Sequence, residues 1–250
     1  MQNELFTQSF TVVGSECDPE RRLTLGGLLR RAQQIATDQC TLLGLDASLY
    51  ERTHTAFLLA KMAVRSIAPV REGDVVSLVT QPGAPLRAVF HRYTALRAAD
   101  GTLRAEIDAR WVLVDTQTRR ILRRLPEGFP SVFAAVQVPE LEVEVHKATE
   151  LQVCGEEKAT FMRCDENHHI NNTVYADIIY DALPVAAALN QEWKRFAIAY
   201  HNEVVLGASF ALLQGKTSED TLYFIGKDGE KKLFEAELTL ETQHRQNNYK

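Results

Sequence analysis

The chain has 250 residues, 45% of them hydrophobic, enough for one large or two mid-sized packed domains and too many for a disordered protein. Its net charge of -5 offers no basic field to nucleic acid or to an anionic membrane surface, so neither partner is expected. The four cysteines, Cys17, Cys40, Cys154 and Cys164, lack C-x-x-C spacing, and no stretch reads as an export signal or a membrane span, so a cytoplasmic protein with reduced thiols is expected.

A strand is predicted over 5–14, followed by a polar turn over 15–22. A helix follows, capped by Thr24, with Leu25, Leu28, Leu29, Ala32 and Ile35 on one stripe and Gly44 as its stop. The period then changes to two. Strands are predicted over 57–68, 74–80, 87–98 and 103–116, separated by turns rich in Pro and Gly. One strand, one long helix and a four-stranded meander describe an α+β unit, a curved antiparallel sheet wrapped on a central helix.

The pattern lapses over 121–148, where arginines, prolines and acidic residues read as a linker. The programme then restarts, with strand character over 149–164, a helix over 172–189, strands over 196–203, 206–215, 221–225 and 232–243, and a hairpin turn at 227–230. Cys17-Asp18-Pro19-Glu20-Arg21-Arg22-Leu23 precedes the first helix as Cys164-Asp165-Glu166-Asn167-His168-His169-Ile170 precedes the second, 147 positions on. Ala63-Val64-Arg65 and Gly73-Asp74-Val75-Val76 have rough counterparts around 197–205. Where the second copy has Asn167 and His169, the first has Glu20 and Arg22.

The chemistry is expected in the second copy's stretch. In extended backbone Asp165, Asn167 and His169 share one face, and Glu166, His168 and Ile170 take the other. Asn171 or Asn172 is a candidate cap for the following helix, whose first N–H groups are candidate oxyanion donors. Glu203 reads as a charge among apolar strand residues, where it needs a partner or a role. Two converging carboxylates would differ in proton affinity, giving an acid beside a base, and which is which stays open. Taken singly, each has a plain structural reading: Asp165 a helix cap, Asn167 a turn former, His169 a satisfied core histidine, Glu203 a solvated edge charge. No metal site is expected, since no H-E-x-x-H or C-x-x-C spacing supports the histidines. Cys164 faces away from the three, which disfavours a Cys–His nucleophile. The pair Gly26-Gly27 inside the first helix predicts close packing of helix on sheet or access to a ligand channel.

The string Asp165-x-Asn167-x-His169-x-Asn171-Asn172-x-x-Tyr175, with Tyr200-His201-Asn202-Glu203 later and Trp111-Val112-Leu113-Val114-Asp115 closing the first half, resembles the acyl-ACP thioesterases of plants and bacteria. Glu203 stands 34 positions after His169, as that resemblance requires. It implies two tandem hotdog domains, 1–120 with an acyl-chain pocket and 149–250 with the catalytic residues, joined by the linker 121–148. It further implies hydrolysis of fatty acyl-acyl carrier protein without a cofactor, with catalytic groups at Asp165, Asn167, His169 and Glu203. Val204 follows Glu203 where plant members often carry a Cys, so a Cys nucleophile there is excluded. Leu28, Ala32 and Trp111 are expected to shape the acyl pocket. Arg71, Arg119, Arg120, Arg123 and Arg124 are candidates for docking the acidic carrier with its phosphopantetheine-linked acyl chain. A homodimer is compatible with this reading. The rivals are an acyl-CoA thioesterase or dehydratase, and a non-catalytic acyl-binding hotdog protein.

Overall fold

The structure is a computed structural model that describes residues 5–130, 132–133 and 138–242. The first half contains β1 (Phe6–Thr11), α1 (Leu25–Leu42), α2 (Ala47–Thr53), β2 (Thr55–Ser66), β3 (Val75–Pro82), β4 (Val89–Ala98) and β5 (Leu103–Asp115). The second contains β6 (Gln152–Lys158), α3 (Val174–Asp181), α4 (Val185–Asn190), β7 (Gln191–Tyr200), β8 (Ser209–Lys216), β9 (Thr221–Asp228) and β10 (Lys231–Thr242). The predicted end of the last strand at Gln243 lies outside the described residues.

Among the described residues the ten strands form one antiparallel sheet in the order β1-β3-β4-β5-β2-β7-β10-β9-β8-β6. This order is palindromic once each strand is matched to its counterpart in the other half. At the centre β2 pairs with β7, Ala63 opposite Ala197 and Met62 opposite Ile198. Residues 63 and 197 are themselves counterparts, so a pseudo-two-fold axis passes through that pair. The two predicted hotdog units are thus fused edge to edge along β2 and β7.

The capping and stripe expected for α1 are present. Thr24 Oγ1 accepts from Gly27 N at 2.9 Å, and Leu25, Leu28, Leu29, Ala32 and Ile35 are buried. Gly44, at φ +77°, turns the chain after it. The glycine pair in α1 serves a different contact from the one expected: a Cβ on Gly26 would overlap Asp177 Oδ1 of α3, and one on Gly27 would press on Glu16 O. The helix predicted over 172–189 is interrupted. Pro184 lacks the N–H a continuing helix needs, and α3 and α4 lie on either side of it. Helix α2 went unpredicted, although Asp46 caps it by accepting from Leu49 N at 2.9 Å.

The core lies between the sheet and the helices, with Ile107, Val64, Phe196, Ile198 and Leu238 packed under Leu28, Ile35, Ile178 and Ile179. The outer face is unusual in burying Glu106, Asp108, Glu235 and Glu237. Part of the predicted linker covers it: Val143 packs on Ala63 and Ala197, Leu141 N donates to Asp108 Oδ2 at 3.0 Å, and His146 N donates to Glu237 Oε2 at 2.9 Å. This segment is a strap across the axis, and its residues 131 and 134–137 lie outside the described residues.

Candidate active site

Residues 164–170 form a closed turn where extended backbone was expected. Asp165 N donates to His169 O at 2.9 Å and His168 N to Asp165 O at 3.0 Å, with His168 at φ +61°. Asp165 Oδ1 accepts from Asn167 N at 2.9 Å and His169 N at 3.5 Å. Alternation of faces therefore does not apply. What gathers Asp165, Asn167 and His169 is the ring of hydrogen bonds that Asp165 closes, an Asx-type arrangement available to a short carboxylate.

Glu203 reaches this turn by backbone lacing. Ile170 N donates to Val204 O at 3.0 Å and Leu206 N to His168 O at 2.8 Å. His169 Nε2 then lies 3.6 Å from Glu203 Oε2, with the two side chains 27% and 59% exposed. Glu203 follows the end of β7 and stands in solvent, which corrects its expected place among buried strand residues. The burial argument for its role fails, while its pairing with His169 stands. Burial pushes the Cys164 thiol up, and the charge of Asp165 adds to the effect, so Cys164 is a poor nucleophile. Among the described residues no three His, Cys, Asp or Glu side chains are grouped to hold a metal ion.

At the start of α3, Asn171 Oδ1 accepts from Thr173 N at 2.9 Å and Asn171 O accepts from Val174 N at 2.9 Å. Asn171 thus caps the entry to the helix from three positions before its first residue, Val174. It also takes two of the backbone donors expected to serve an oxyanion.

The first copy repeats this turn closely. Asp18 N donates to Arg22 O at 2.9 Å, Arg21 N to Asp18 O at 2.8 Å, Arg21 has φ +60°, and Leu23 N donates to Val70 O at 2.8 Å. The side chains differ. Arg22, 6% exposed, donates to Asp18 Oδ2 at 2.7 Å and crosses to the other half, where Gln191 O and Ala188 O accept at 3.0 and 2.9 Å. Pro69 occupies the place of Glu203, one residue before Val70 as Glu203 is one before Val204. Gly73, at φ +89°, matches Gly207 at φ +89°, so the counterpart of 73–76 begins at 207, beyond the window expected from sequence.

Behind the first turn is a cavity of about 60 Å³, bordered by Asp18, Arg22, Leu28, Ser66, Ala105 and Trp193. Of the three expected acyl-pocket residues, Leu28 lines it, while Ala32 and Trp111 belong to the same core without reaching it. The corresponding space in the second half is filled. Ser66 pairs with Ala105 as Tyr200 pairs with Phe234, and Leu28 corresponds to Tyr175. The ring of Tyr175 packs edge-on against Tyr200 at 5.5 Å and Phe234 at 4.7 Å between centroids. Tyr175 is part of the quoted motif and is buried in the core.

The arginines divide. Arg71 donates to Glu20 O at 3.1 Å beside the first turn. Arg119, Arg120, Arg123 and Arg124 are exposed and follow β5, whose last residue, Asp115, pairs with Thr55 at the start of β2. Because β7 is antiparallel to β2, the Tyr200 end from which Glu203 emerges points toward that same end of the sheet. The second turn and these four arginines share it.

The chain matches two family models in succession, the acyl-ACP thioesterase N-terminal domain over residues 3–130 and the acyl-ACP thioesterase C-terminal domain over residues 147–247. A chloroplastic palmitoyl-acyl carrier protein thioesterase from Gossypium hirsutum is 22% identical over 215 residues, 80% of this chain. The chain spans about half the length of that relative, 52% of it. An acyl-ACP thioesterase from Bacteroides thetaiotaomicron has a TM-score of 0.84 at 19% identity, over 95% of this chain and 98% of that one. The 12:0-ACP thioesterase of Umbellularia californica has a TM-score of 0.82 at 17% identity, over 96% and 98%. These structural likenesses show a common fold. No helix among the described residues is long and apolar enough to cross a membrane.

Proposed function

The chain belongs to the acyl-ACP thioesterase family, and from that premise we propose that it hydrolyses the thioester of a fatty acyl-acyl carrier protein, releasing free fatty acid and the holo-carrier. The observation that carries the proposal is the approach of Glu203 to His169 at 3.6 Å, across 34 residues of sequence, beside the turn closed by Asp165. In unliganded sites such contacts are long and tighten as substrate binds.

In this reading Asp165, anchored through Oδ1, uses Oδ2 to take a proton from water as its oxygen attacks the carbonyl carbon. Asn167 orients the reacting groups, and the His169–Glu203 pair delivers a proton to sulfur as the C–S bond breaks. The leaving thiol and the fatty acid then depart, and the proton on Asp165 returns to His169. General acid and base groups of this kind contribute roughly 10²–10⁴-fold each.

The first half, 1–120, takes the acyl chain, the second half, 149–250, performs the chemistry, and 121–148 joins them. The aromatic filling of the second half by Tyr175, Tyr200 and Phe234 supports this division, since a chain finds no room directly behind the reactive turn. Leu28, Ala32 and Trp111 shape the pocket. Arg119, Arg120, Arg123 and Arg124, exposed at the same end of the sheet as the turn, dock the acidic carrier. The four free cysteines support a reducing, cytoplasmic setting. The test is product analysis with acyl carriers of graded chain length, comparing wild type with Glu203→Gln. Fatty acid release that falls about 10²-fold or more in the variant supports the proposal, and equal release by both contradicts it.

A further inference from the structure

We propose that Tyr175 is a further catalytic residue, its phenolic hydroxyl donating a hydrogen bond to the thioester carbonyl oxygen as negative charge develops there. The inference rests on the reading of the second turn given above and deepens it.

Position is the first argument. In the first half the side chain of Leu28 lines the same cavity as Asp18 and Arg22. Carried 147 positions along the repeated backbone, these become Tyr175, Asp165 and His169. The residue at this place in the helix is thus directed to the turn, and only in the second half does it carry a hydroxyl.

Partner accounting is the second. Tyr175 is 3% exposed, and its ring is held by Tyr200 and Phe234. Tyr200 donates to Asn172 O at 2.9 Å and Tyr223 to Glu235 Oε1 at 2.7 Å. Among the described residues the Tyr175 hydroxyl has no such acceptor, only ring contacts. Among the described residues the sealed side-chain atoms without a partner are Asp108 Oδ1, Trp111 Nε1 and Gln214 Oε1 and not this hydroxyl, so the ring is buried while its polar tip keeps solvent access and is free to donate to a ligand.

Supply of donors is the third. Thr173 N and Val174 N are occupied by Asn171, so the helix start offers fewer N–H groups than its position suggests. A side-chain donor fills that need. Burial pushes the phenol up, and the charges of Cys164, Asp165 and Glu203 push it the same way. The phenol stays protonated through the working pH range.

The experiment compares Tyr175→Phe, Asp165→Asn and wild type, as full-length protein, on one acyl carrier substrate. Phenylalanine keeps both ring contacts and removes only the hydroxyl. The expected result is a kcat lower by about 10²–10³-fold with KM unchanged. A second measurement does not depend on turnover: a ketone analogue, with CH₂ in place of the thioester sulfur, perturbs the tyrosine ultraviolet spectrum of wild type and not of Tyr175→Phe. An inactive Asp165→Asn beside a fully active Tyr175→Phe overturns this inference alone, as does a spectral perturbation that survives in Tyr175→Phe. A fully active Asp165→Asn overturns the reading of the site itself.

Discussion

In the turn at 17–23 the carboxylate of Asp18 is held by Arg22, whose guanidinium also ties the α4–β7 junction to the first half. In the turn at 164–170 the same backbone positions Asp165, and the residue four places on is an imidazole facing Glu203. Two copies of one hydrogen-bonded turn are thus a fastening in one half and, on the function proposed, a reactive edge in the other. The difference lies in the residue four places after the Asp, Arg22 or His169, and in the residue laced opposite it, Pro69 or Glu203. Duplication allows this. With one copy bracing the joint between halves, the other can leave its carboxylate unneutralised and its imidazole half exposed.

Several substitutions can break or sharpen this contrast. The largest effect is expected at His169: His169→Ala should lower kcat about 10²–10⁴-fold in steady-state turnover while leaving the unfolding midpoint near wild type. Its counterpart should do the opposite. Arg22→Ala strands a partly buried Asp18 and two carbonyl groups, and should cost about 3–5 kcal/mol in urea unfolding with turnover per folded molecule retained.

The outer faces of the two halves offer a third comparison. Glu106 receives Tyr93 and Arg65, and Glu235 receives Tyr223, His201 and Lys232. Burial raises the Glu235 carboxyl, but the hydrogen bonds from Tyr223, Lys232 and His201 outweigh it and hold the group at about 2, against an ordinary 4.5. A depressed carboxylate contributes stability that is complete above its unfolded value and is lost as pH falls through the folded one. Stability should therefore decline between pH 4.5 and about 2 by an amount on the order of 2–3 kcal/mol, and Glu235→Gln should flatten that limb in acid unfolding curves.

The smallest effect is expected where the halves' helices meet. Gly26→Ala displaces the Asp177 carboxylate and its exposed pair with Arg30, worth about 0–1 kcal/mol, while gaining about 1 kcal/mol of helix propensity. Thermal unfolding should change little. A large loss would mean that the α1–α3 contact carries more of the fold than its exposed ion pair indicates.

Much of this molecule is legible in its letters because the signals are local. Thr24, the stripe of α1, the meander of β2 to β5 and the hairpin at 227–230 follow from capping, period and turn chemistry. The repeat at an interval of 147 is legible too, down to the residues that differ. What was hidden depends on distant parts of the chain. No local pattern states that β2 and β7 join two sheets into one, or that Arg22 reaches Gln191 and Ala188. The turn at 164–170 was misread as extended because period-two reasoning ignores a carboxylate that can accept from its own backbone two and four residues on. Glu203 was misread as a strand residue because β7 ends at Tyr200, a boundary set by the lacing of 203–206 to the turn. Pro184 was a legible break that the apolar spacing of 172–189 concealed.

The contrast between the turns is tested most directly by Asp18→Asn and Asp165→Asn side by side, since asparagine keeps the Oδ1 acceptor that closes each turn and replaces the charged Oδ2, which accepts from Arg22 in the first turn, by an amide NH₂ donor. With acyl carrier turnover and thermal unfolding measured on both, Asp165→Asn should lose at least about 10²-fold in kcat and keep its midpoint. Asp18→Asn should keep its turnover and unfold at a lower temperature. The opposite pattern, a folded but inactive Asp18→Asn beside an active Asp165→Asn, would contradict the assignment of chemistry to the second turn.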